Sequence, residues 1–311
     1  MEELTKGFVT VVSGDEIYYK NAVNLLNSYK YFSKKPLPFA IIADRENEYT
    51  RQFDLFVPLK KSEKTYTDKI EVLLNIPFDQ TIFIEPDILA YGDLNEMFSD
   101  FKYVDGFSMQ GKMRELDSSG GWFLLEETKK YKSQIKFIPS FSSGMMYLND
   151  RQKCMDIYEV FADVLLNFDE YNIGGNRFML DDKCLAVAIA VNGCKLLSHN
   201  GKWPLNYPYQ IRNKLPLKIN IRKGQLSYKE KSGGWIKHGL SCHWSTEVTK
   251  QSFYKKEVAV LNAMIKGKKW VFLTSAKHNF LIFFDKTKNC VARLIYKIKC
   301  NKFARKLCGK R

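Results

Sequence analysis

Short continuous runs of hydrophobic residues alternate along the chain with segments in which hydrophobic residues recur every three or four positions. A continuous apolar run bounded by turn residues is typical of a buried strand, whereas the wider spacing is typical of an amphipathic helix. The runs predict strands at residues 7–14, 37–44, 53–59 and 81–84. The wider spacing predicts helices at residues 18–32, 67–78, 156–168 and 180–193. We expect a loop running into a strand at 137–149 and a short strand or loop at 239–245.

Strands that alternate with helices indicate an α/β fold with a mostly parallel central sheet and helices on both faces. In such sheets, ligands bind beyond the carboxyl ends of the strands. The strand at 81–84 ends directly before Glu85, Pro86 and Asp87, so two carboxylates stand where a ligand is expected.

Composition narrows the class of protein. The 311 residues, 45% of them hydrophobic, are enough for a large globular domain. The longest apolar run, Cys184 to Val191, is too short to span a bilayer. We expect no signal peptide, because the first residues are acidic and no hydrophobic region follows them. The seven cysteines include no CxxC pair, which indicates free thiols in a reducing compartment and a cytoplasmic protein.

The net charge of +15 is concentrated at one end of the chain. Residues 251–311 hold sixteen Lys or Arg and two acids, a net charge of +14, whereas the first 250 residues carry +1. This asymmetry indicates an appended surface for a polyanion or an anionic membrane. We therefore predict a main domain at residues 1–265 and a separate basic segment at 266–311.

The basic segment has helical spacing of its bulky residues at Val291, Leu294, Ile295 and Ile298, surrounded by Lys and Arg. A basic amphipathic helix of this kind lies in a membrane interface. The segment thus predicts a protein that is peripheral on the cytoplasmic membrane face. Two alternatives remain: a solvated run of charge, or a tail that binds RNA through its phosphates.

Glu85 and Asp87 have the chemistry of a metal site. Oxygen ligands two positions apart can chelate a hard divalent ion, and Mg²⁺ or Mn²⁺ held by one or two carboxylates and by phosphates is the usual arrangement at phosphate-handling sites. The alternative is that Asp93 or another acid caps a helix, with Glu85 and Asp87 merely facing solvent.

This segment resembles the nucleotide-sugar glycosyltransferases of the GT-A fold, and most closely glycosyltransferase family 8, which includes glycogenin and bacterial lipooligosaccharide galactosyltransferases. The family pattern is a hydrophobic strand, then D-x-D, an apolar pair, and a "DL..LF" end. It stands here as IFIEPDIL at residues 82–89 and GDLNEMF at 92–98, with Glu85 in place of the first aspartate. The resemblance extends from about residue 7 to residue 250, and the order of its motifs supports it more than any one motif does.

The resemblance implies a nucleotide site at the start of the chain. In the segment beginning FVTVVSG, Val11 and Ser13 would contact the nucleotide and Tyr18 would stack on the base, with Tyr19 as a rival. Lys69 stands where the family keeps a basic residue that reaches the donor.

The resemblance also implies a sugar pocket. The stretch SFSSGMMYLN resembles the family's FNSGV turn, with Ser142 in place of the asparagine and Ser143 after it. The stretch LDDKCLAVA resembles its "DQ..LN" segment, which would put Asp182 near the transferred sugar and Lys183 in place of the glutamine. Pro86, between the two carboxylates, is assigned to the donor site with them.

His243 falls where the family has its third metal ligand, and an imidazole suits Mn²⁺ better than Mg²⁺. The resemblance therefore implies a metal held by Glu85, Asp87 and His243. Lys250 would neutralise the diphosphate leaving group.

Together these features imply an enzyme: a metal-dependent hexosyltransferase that moves a sugar from a UDP-sugar to an acceptor hydroxyl with retention, on a glycan or lipid-linked acceptor. Three alternatives stay open. A nucleotidyltransferase also uses paired carboxylates and a metal, although VVSGDEIYY lacks the basic, glycine-rich loop usual in that class. The others are a nucleic-acid-binding protein acting through its basic tail, and an inactive family member.

Overall fold

The computed structural model describes residues 5–60, 62, 66–118, 121–171, 173–175, 179–198, 200–231, 233–267, 271, 274–277 and 279. The chain divides into two compact units, one of residues 1–220 and 224–246 and the other of residues 221–223 and 247–311. The predicted boundary after residue 265 stays a prediction, and most of the basic segment, including its predicted amphipathic helix, lies outside the described residues.

The described residues form thirteen strands and seven α-helices. The strands are β1 (Lys6–Val12), β2 (Phe39–Ala43), β3 (Leu55–Pro58), β4 (Gln80–Ile84), β5 (Ile88–Ala90), β6 (Phe107–Arg114), β7 (Ile138–Leu148), β8 (Leu196–Leu197), β9 (Leu205–Asn206), β10 (Leu217–Asn220), β11 (Gln225–Lys229), β12 (Trp235–Ile236) and β13 (Ser241–His243). The α-helices are α1 (Glu16–Phe32), α2 (Arg151–Leu166), α3 (Phe168–Tyr171), α4 (Leu180–Val191), α5 (Tyr207–Arg212), α6 (Thr246–Thr249) and α7 (Ser252–Ile265). Short 3₁₀ helices cover Thr50–Gln52, Tyr66–Leu73, Leu94–Phe101, Leu125–Gln134, Ile173–Gly175 and Ile221–Lys223.

Seven strands of the first unit form the central sheet, in the order β3-β2-β1-β4-β7-β6-β8. Neighbours from β3 to β4 are parallel, and β6 is parallel to β8. β7 runs antiparallel to both of its neighbours, β4 and β6. The predicted α/β fold with a mostly parallel sheet is therefore confirmed.

Helices cover both faces of this sheet. Successive residues of β1 and β4 point to opposite faces, as strand geometry requires, and each face has its own hydrophobic cluster. The cluster on the α1 side includes Phe8, Val12, Leu25, Ile82 and Ile84. The cluster on the side of α2 and α4 includes Val9, Val11, Phe83, Ile157 and Leu185.

Two predicted helices differ from the structure by more than two residues at one end. The helix predicted at 67–78 is a 3₁₀ helix that ends at Leu73. Ile76 precedes Pro77, and proline disfavours helical geometry in the residue before it. The helix therefore ends before Ile76. The helix predicted from 156 begins at Arg151, because the side chain of Asp150 caps it by accepting a bond from the Lys153 N–H.

Two small sheets flank the central one. In the sheet β5-β13-β9, β13 is antiparallel to β5 and parallel to β9. The register puts His243 opposite both Ile88 and Asn206, which brings this late residue to the carboxyl end of β4. The other sheet, in the order β10-β11-β12, is antiparallel.

None of the described helices combines the length and apolarity needed to cross a bilayer. Four of the seven cysteines, Cys154, Cys184, Cys194 and Cys242, are described, and each is a buried free thiol. This agrees with the prediction of free thiols for the part of the chain that the structure covers.

Candidate metal and donor site

The two carboxylates of the site are positioned by the buried strand β4. Ile84 is fully buried, and the next residue, Glu85, donates its backbone N–H to the Gly144 carbonyl at 2.9 Å. A turn follows, in which the Ile88 N–H donates to the Glu85 carbonyl at 3.2 Å. Asp87 lies inside this turn with 7% of its surface exposed. The sheet thus ends in a fixed turn that carries both acids.

His243 joins the carboxylates through the pairing of β13 with β5. The Trp244 N–H donates to the Asp87 carbonyl at 3.1 Å, which fixes the two segments against each other. The Nε2 atom of His243 lies 3.2 Å from Oε2 of Glu85 and 3.2 Å from Oδ1 of Asp87. The structure therefore brings the three predicted metal ligands together.

The close approach of these groups depends on Gly144. A Cβ atom at this position would lie 3.1 Å from Oε2 of Glu85 and 3.5 Å from Nδ1 of His243. The first distance is tighter than a normal carbon–oxygen contact, so a side chain here would push the carboxylate away. Ser143 and Gly144, which the resemblance assigned to a turn, lie inside β7, and the glycine leaves space beside the site.

His243 and the two carboxylates shift one another's protonation. Burial alone would lower the pKa of His243, but the negative charges of Asp87 and Glu85 outweigh it and raise that pKa to about 9. Burial would raise the pKa of Asp87, but His243, with a smaller contribution from the Thr246 hydroxyl, lowers it. An electropositive group among these acids is therefore favoured.

The residues present fit a divalent metal ion. One ligand atom from each of Glu85, Asp87 and His243 lies within 4.8 Å of the others. The contact between His243 and Oδ1 of Asp87 is a charge contact and not a well-aligned hydrogen bond, and this buried oxygen has no hydrogen-bond partner among the described residues. Adjacent ligands of an ion bound at about 2.1 Å in octahedral geometry are about 3 Å apart. Two carboxylates and an imidazole are side chains that bind divalent ions in proteins.

Lys69 links the metal ligands to the other side of the site. Its Nζ atom lies 2.8 Å from Oε1 of Glu85, 2.7 Å from Oγ of Ser143 and 2.6 Å from Oδ2 of Asp181. An ammonium group has three N–H donors, so three protein acceptors match its full capacity. Burial would lower the pKa of Lys69, but Glu85, Asp182 and Asp181 raise it well above its usual value.

Ser143 extends this network to Asp182 at the start of α4. Its hydroxyl accepts from Lys69 and donates to Oδ1 of Asp182. Asp182 is only 5% exposed, and burial raises its pKa to about 6, although Lys69 opposes that rise. A continuous path of hydrogen bonds therefore runs from Glu85 through Lys69 and Ser143 to Asp182.

Asp181 is a site residue that the sequence analysis missed. It is 5% exposed, and its carboxylate pairs with Lys69. The available signal was its position beside Asp182 in the first turn of a helix, where carboxylates are favoured by the helix dipole. Only the fold shows that both acids point inward.

The predicted nucleotide residues lie at the end of β1 and the start of α1. Val11 is 6% exposed, and Ser13 donates its hydroxyl to Oδ2 of Asp68 at 2.6 Å. Tyr18 is half-buried. Tyr19, its rival, is fully buried, and its hydroxyl donates to Asp44. A ring enclosed in this way cannot stack on a base, which leaves Tyr18 as the candidate.

The remaining sugar-site candidates have differing environments. Pro86 is half-buried between the two carboxylates, whereas Ser142 is exposed on β7. Lys183 is buried, and its Nζ atom donates to the Gly174 carbonyl at 3.3 Å. The lysine that replaces the family's glutamine therefore has a structural contact with the 3₁₀ helix Ile173–Gly175.

Lys250, the predicted partner of the diphosphate, belongs to the second unit. Its Nζ atom lies 2.9 Å from Oε1 of Glu247 three residues earlier, and both side chains are exposed. Its assignment to the donor stays a prediction from the resemblance.

Several solved structures resemble the fold that carries this site. No protein-family model and no curated protein matches the chain. Among solved structures, mouse xyloside xylosyltransferase 1 in its apo form is 11% identical, with 79% of this chain and 99% of that chain covered and a TM-score of 0.47. The glycosyltransferase GlyE of Streptococcus pneumoniae is 16% identical, with coverages of 68% and 50% and a TM-score of 0.43.

An active-site mutant of the galactosyltransferase LgtC is 9% identical, covers 77% of this chain and 87% of its own, and has a TM-score of 0.50. At this identity the likeness concerns the fold. The seven-stranded sheet and its flanking helices match the fold of that protein. The resemblance found in the sequence is thereby confirmed at the level of the fold, and the chain has the fold of the GT-A glycosyltransferases.

Proposed function

We propose that the protein is a metal-dependent glycosyltransferase that moves a sugar from a UDP-sugar to an acceptor hydroxyl. The observation that carries this proposal is the convergence of Glu85, Asp87 and His243 at the carboxyl end of β4 in a GT-A fold. Ligands of α/β sheets bind at this edge. Carboxylate and imidazole ligands suit the divalent ions that accompany diphosphates.

Glu85, Asp87 and His243 would hold the ion, and a bound divalent ion supplies Lewis-acid stabilisation of the charge on the departing diphosphate. The protein's part is to keep these ligands in place before the donor arrives. The Trp244 N–H holds the backbone of Asp87, and Lys69 holds the carboxylate of Glu85. Groups fixed in this way need no reorganisation during the reaction.

Asp182 is the candidate for the sugar end of the donor. Its carboxylate is buried and is held by the Ser143 hydroxyl. A carboxylate fixed beside the anomeric carbon would stabilise the positive charge that develops there as the sugar leaves the diphosphate. Retention of anomeric configuration is proposed from the resemblance to family 8, and the anomer of the product tests it.

The contacts of Lys69 support a positioning role rather than the donor contact predicted from the sequence. Three protein acceptors already surround its ammonium group, so binding a donor oxygen would require the loss of one of them. Contacts with the donor are therefore assigned to Val11, Ser13, Tyr18 and Ser142.

The acceptor is proposed only as a chemical class. A glycan or lipid-linked acceptor, and attachment to an anionic membrane through residues 266–311, follow from the sequence analysis and stay proposals. Lys250 is retained as the proposed cation for the diphosphate.

The proposal is tested by the release of UDP from a panel of UDP-sugars. Wild-type protein should release UDP in the presence of Mn²⁺, and the release should stop when a chelator is added. Asp87→Asn should reduce release at least about a hundredfold, since a neutral amide is a poor ligand for a hard cation. Asp105→Asn, at an exposed acid outside the site, is the matched control and should behave as wild type.

Equal release with and without chelator, or full activity of Asp87→Asn, would overturn the metal-dependent mechanism. Pyrophosphate release from a nucleoside triphosphate and a sugar phosphate would instead identify a nucleotidyltransferase.

A further inference from the structure

The small sheet β10-β11-β12 has one buried and one exposed face. Leu226 and Tyr228 of β11 are 1% and 2% exposed and form the buried face. The other face carries Lys218, Lys229 and Trp235, all exposed. Lys229 lies directly opposite Trp235 in the register, and the Nζ atom of Lys218 lies 5.9 Å from the centroid of the tryptophan ring. An exposed tryptophan thus lies next to two lysines.

Helix α5, which precedes this sheet, buries one polar residue and exposes two apolar ones. A surface helix normally buries apolar residues and exposes polar ones. In α5, Gln210 is 2% exposed, whereas Tyr209 and Ile211 on either side of it are 46% and 52% exposed. The Gln210 amide donates to the carbonyls of Lys229 at 2.9 Å and Pro216 at 3.2 Å. This glutamine ties α5 to the end of the sheet that carries the Lys229–Trp235 pair.

Positive charge surrounds these exposed apolar side chains. Arg212 at the end of α5 is exposed, as are the lysines of the sheet and its connections. The exposed cations of this part of the first unit are Arg212, Lys214, Lys218, Lys229, Lys231 and Lys237. Within the described part of the chain, none of these six forms an ion pair with a carboxylate. Their charges are therefore available to an external anion.

We propose that this surface docks on an anionic membrane. We call it the basic aromatic face and define it by Tyr209, Ile211, Arg212, Lys218, Lys229 and Trp235. Aromatic side chains favour the headgroup region of a bilayer, and an exposed aliphatic residue can enter the acyl boundary. Each Lys or Arg near the surface adds attraction to anionic lipid.

The composition of the face favours lipid over nucleic acid. Single-stranded nucleic acid is bound by cations and stacking rings, which Trp235 and the lysines could supply. Ile211 offers neither charge nor a stacking surface, yet it is more than half exposed. The acyl boundary of a bilayer can accept such a side chain, whereas single-stranded nucleic acid is bound through charge and stacking. The face belongs to the first unit, so it is distinct from the C-terminal segment predicted to meet a membrane.

The test is co-sedimentation of the full-length chain with vesicles of phosphatidylcholine containing one third phosphatidylglycerol. We expect binding that weakens as salt rises, because salt screens the lysines. Lys218→Glu with Lys229→Glu should weaken partitioning about tenfold or more, since each change removes a cation and adds an anion. Ile211→Glu with Trp235→Glu should have a comparable effect. If a charge-reversed variant folds poorly, Lys218→Gln with Lys229→Gln is used instead and should also weaken vesicle binding, by a smaller factor.

A matched control exists in the same unit. Lys102 lies over the ring of Tyr103 at 5.4 Å, and Tyr103 is 89% exposed, so this pair has the same chemistry as Lys218 and Trp235. Its neighbours Asp100 and Asp105 are acidic. Lys102→Glu with Tyr103→Glu should leave vesicle binding unchanged. An equal loss of vesicle binding in this control, or unchanged vesicle binding in the face variants, would overturn the proposal. So would face variants that lose binding to single-stranded RNA but keep binding to vesicles.

Discussion

The Nζ atom of Lys69 lies 2.6 Å from Oδ2 of Asp181 and 2.8 Å from Oε1 of Glu85. One lysine, 13% exposed, therefore joins the end of β4 to the first turn of α4. It offsets the charges of acids that would otherwise repel one another in a partly desolvated site. The same cation therefore contacts the proposed metal ligand Glu85 and also Asp181, the neighbour of the proposed sugar-binding acid Asp182.

Lys69→Met tests this linkage. Removing the ammonium group leaves Glu85, Asp181 and Asp182 without their shared cation, so the free energy of unfolding should fall by about 3 kcal/mol. Added Mn²⁺ should stabilise this variant more than the wild type, because a second cation then meets uncompensated carboxylates. Thermal unfolding with and without Mn²⁺ measures both effects.

Lys130→Met is the control for that experiment. Lys130 pairs with Asp163 at 2.9 Å but is 60% exposed, and Asp163 keeps the hydroxyls of Tyr131 and Tyr171 as partners. Its loss should change stability much less and should not alter the response to Mn²⁺. An equal loss in both variants would show that Lys69 is an ordinary surface charge.

Gly144→Ala should weaken metal binding without unfolding the protein. The added methyl would lie 3.1 Å from Oε2 of Glu85 and would displace that carboxylate by a few tenths of an ångström. We expect Mn²⁺ affinity to fall several-fold, measured by calorimetry. Gly234→Ala is the control, because a Cβ there meets no atom within 4 Å. Wild-type affinity in Gly144→Ala would mean that Glu85 does not bind the ion.

The buried thiols should be unreactive in the folded protein. Burial raises the pKa of Cys154 to about 12 and that of Cys194 to about 11. At pH 8, roughly one in a thousand or fewer of these thiols is then ionised, and only the thiolate reacts. Alkylation followed by mass spectrometry should leave both unlabelled in native protein and label both in denaturant. Rapid native labelling would show that this part of the core opens readily.

Sequence patterns predicted the buried core elements well, because burial on both faces leaves a continuous apolar run. β1, β2 and β4 are of this kind, and all their central residues are buried. β6 was missed because its eight residues FSMQGKMR are buried only in the first half, so neither alternation nor a run is visible. Its place in the sheet comes from pairing with β7, a contact between distant segments.

The candidate site, too, was only partly predictable from the sequence. Glu85, Asp87 and His243 could be picked out because their order along the chain follows the order of the motifs in the family that the sequence resembles. Asp181 could not be picked out, because its role depends on an ion pair with Lys69, more than a hundred residues earlier in the chain. The basic aromatic face could not be predicted either, because only the structure shows that α5 buries Gln210 and exposes Tyr209 and Ile211.

Direct measurement of Mn²⁺ binding tests the central claim. Free Mn²⁺ gives a six-line electron paramagnetic resonance signal that is lost on binding, so a titration yields stoichiometry and affinity. The wild type should bind one Mn²⁺ per chain at this site, and Asp87→Asn and His243→Ala should each weaken that binding about tenfold or more, with Asp105→Asn unchanged. Undiminished binding of one Mn²⁺ by both site variants, or no binding by the wild type, would contradict a metal centre formed by Glu85, Asp87 and His243.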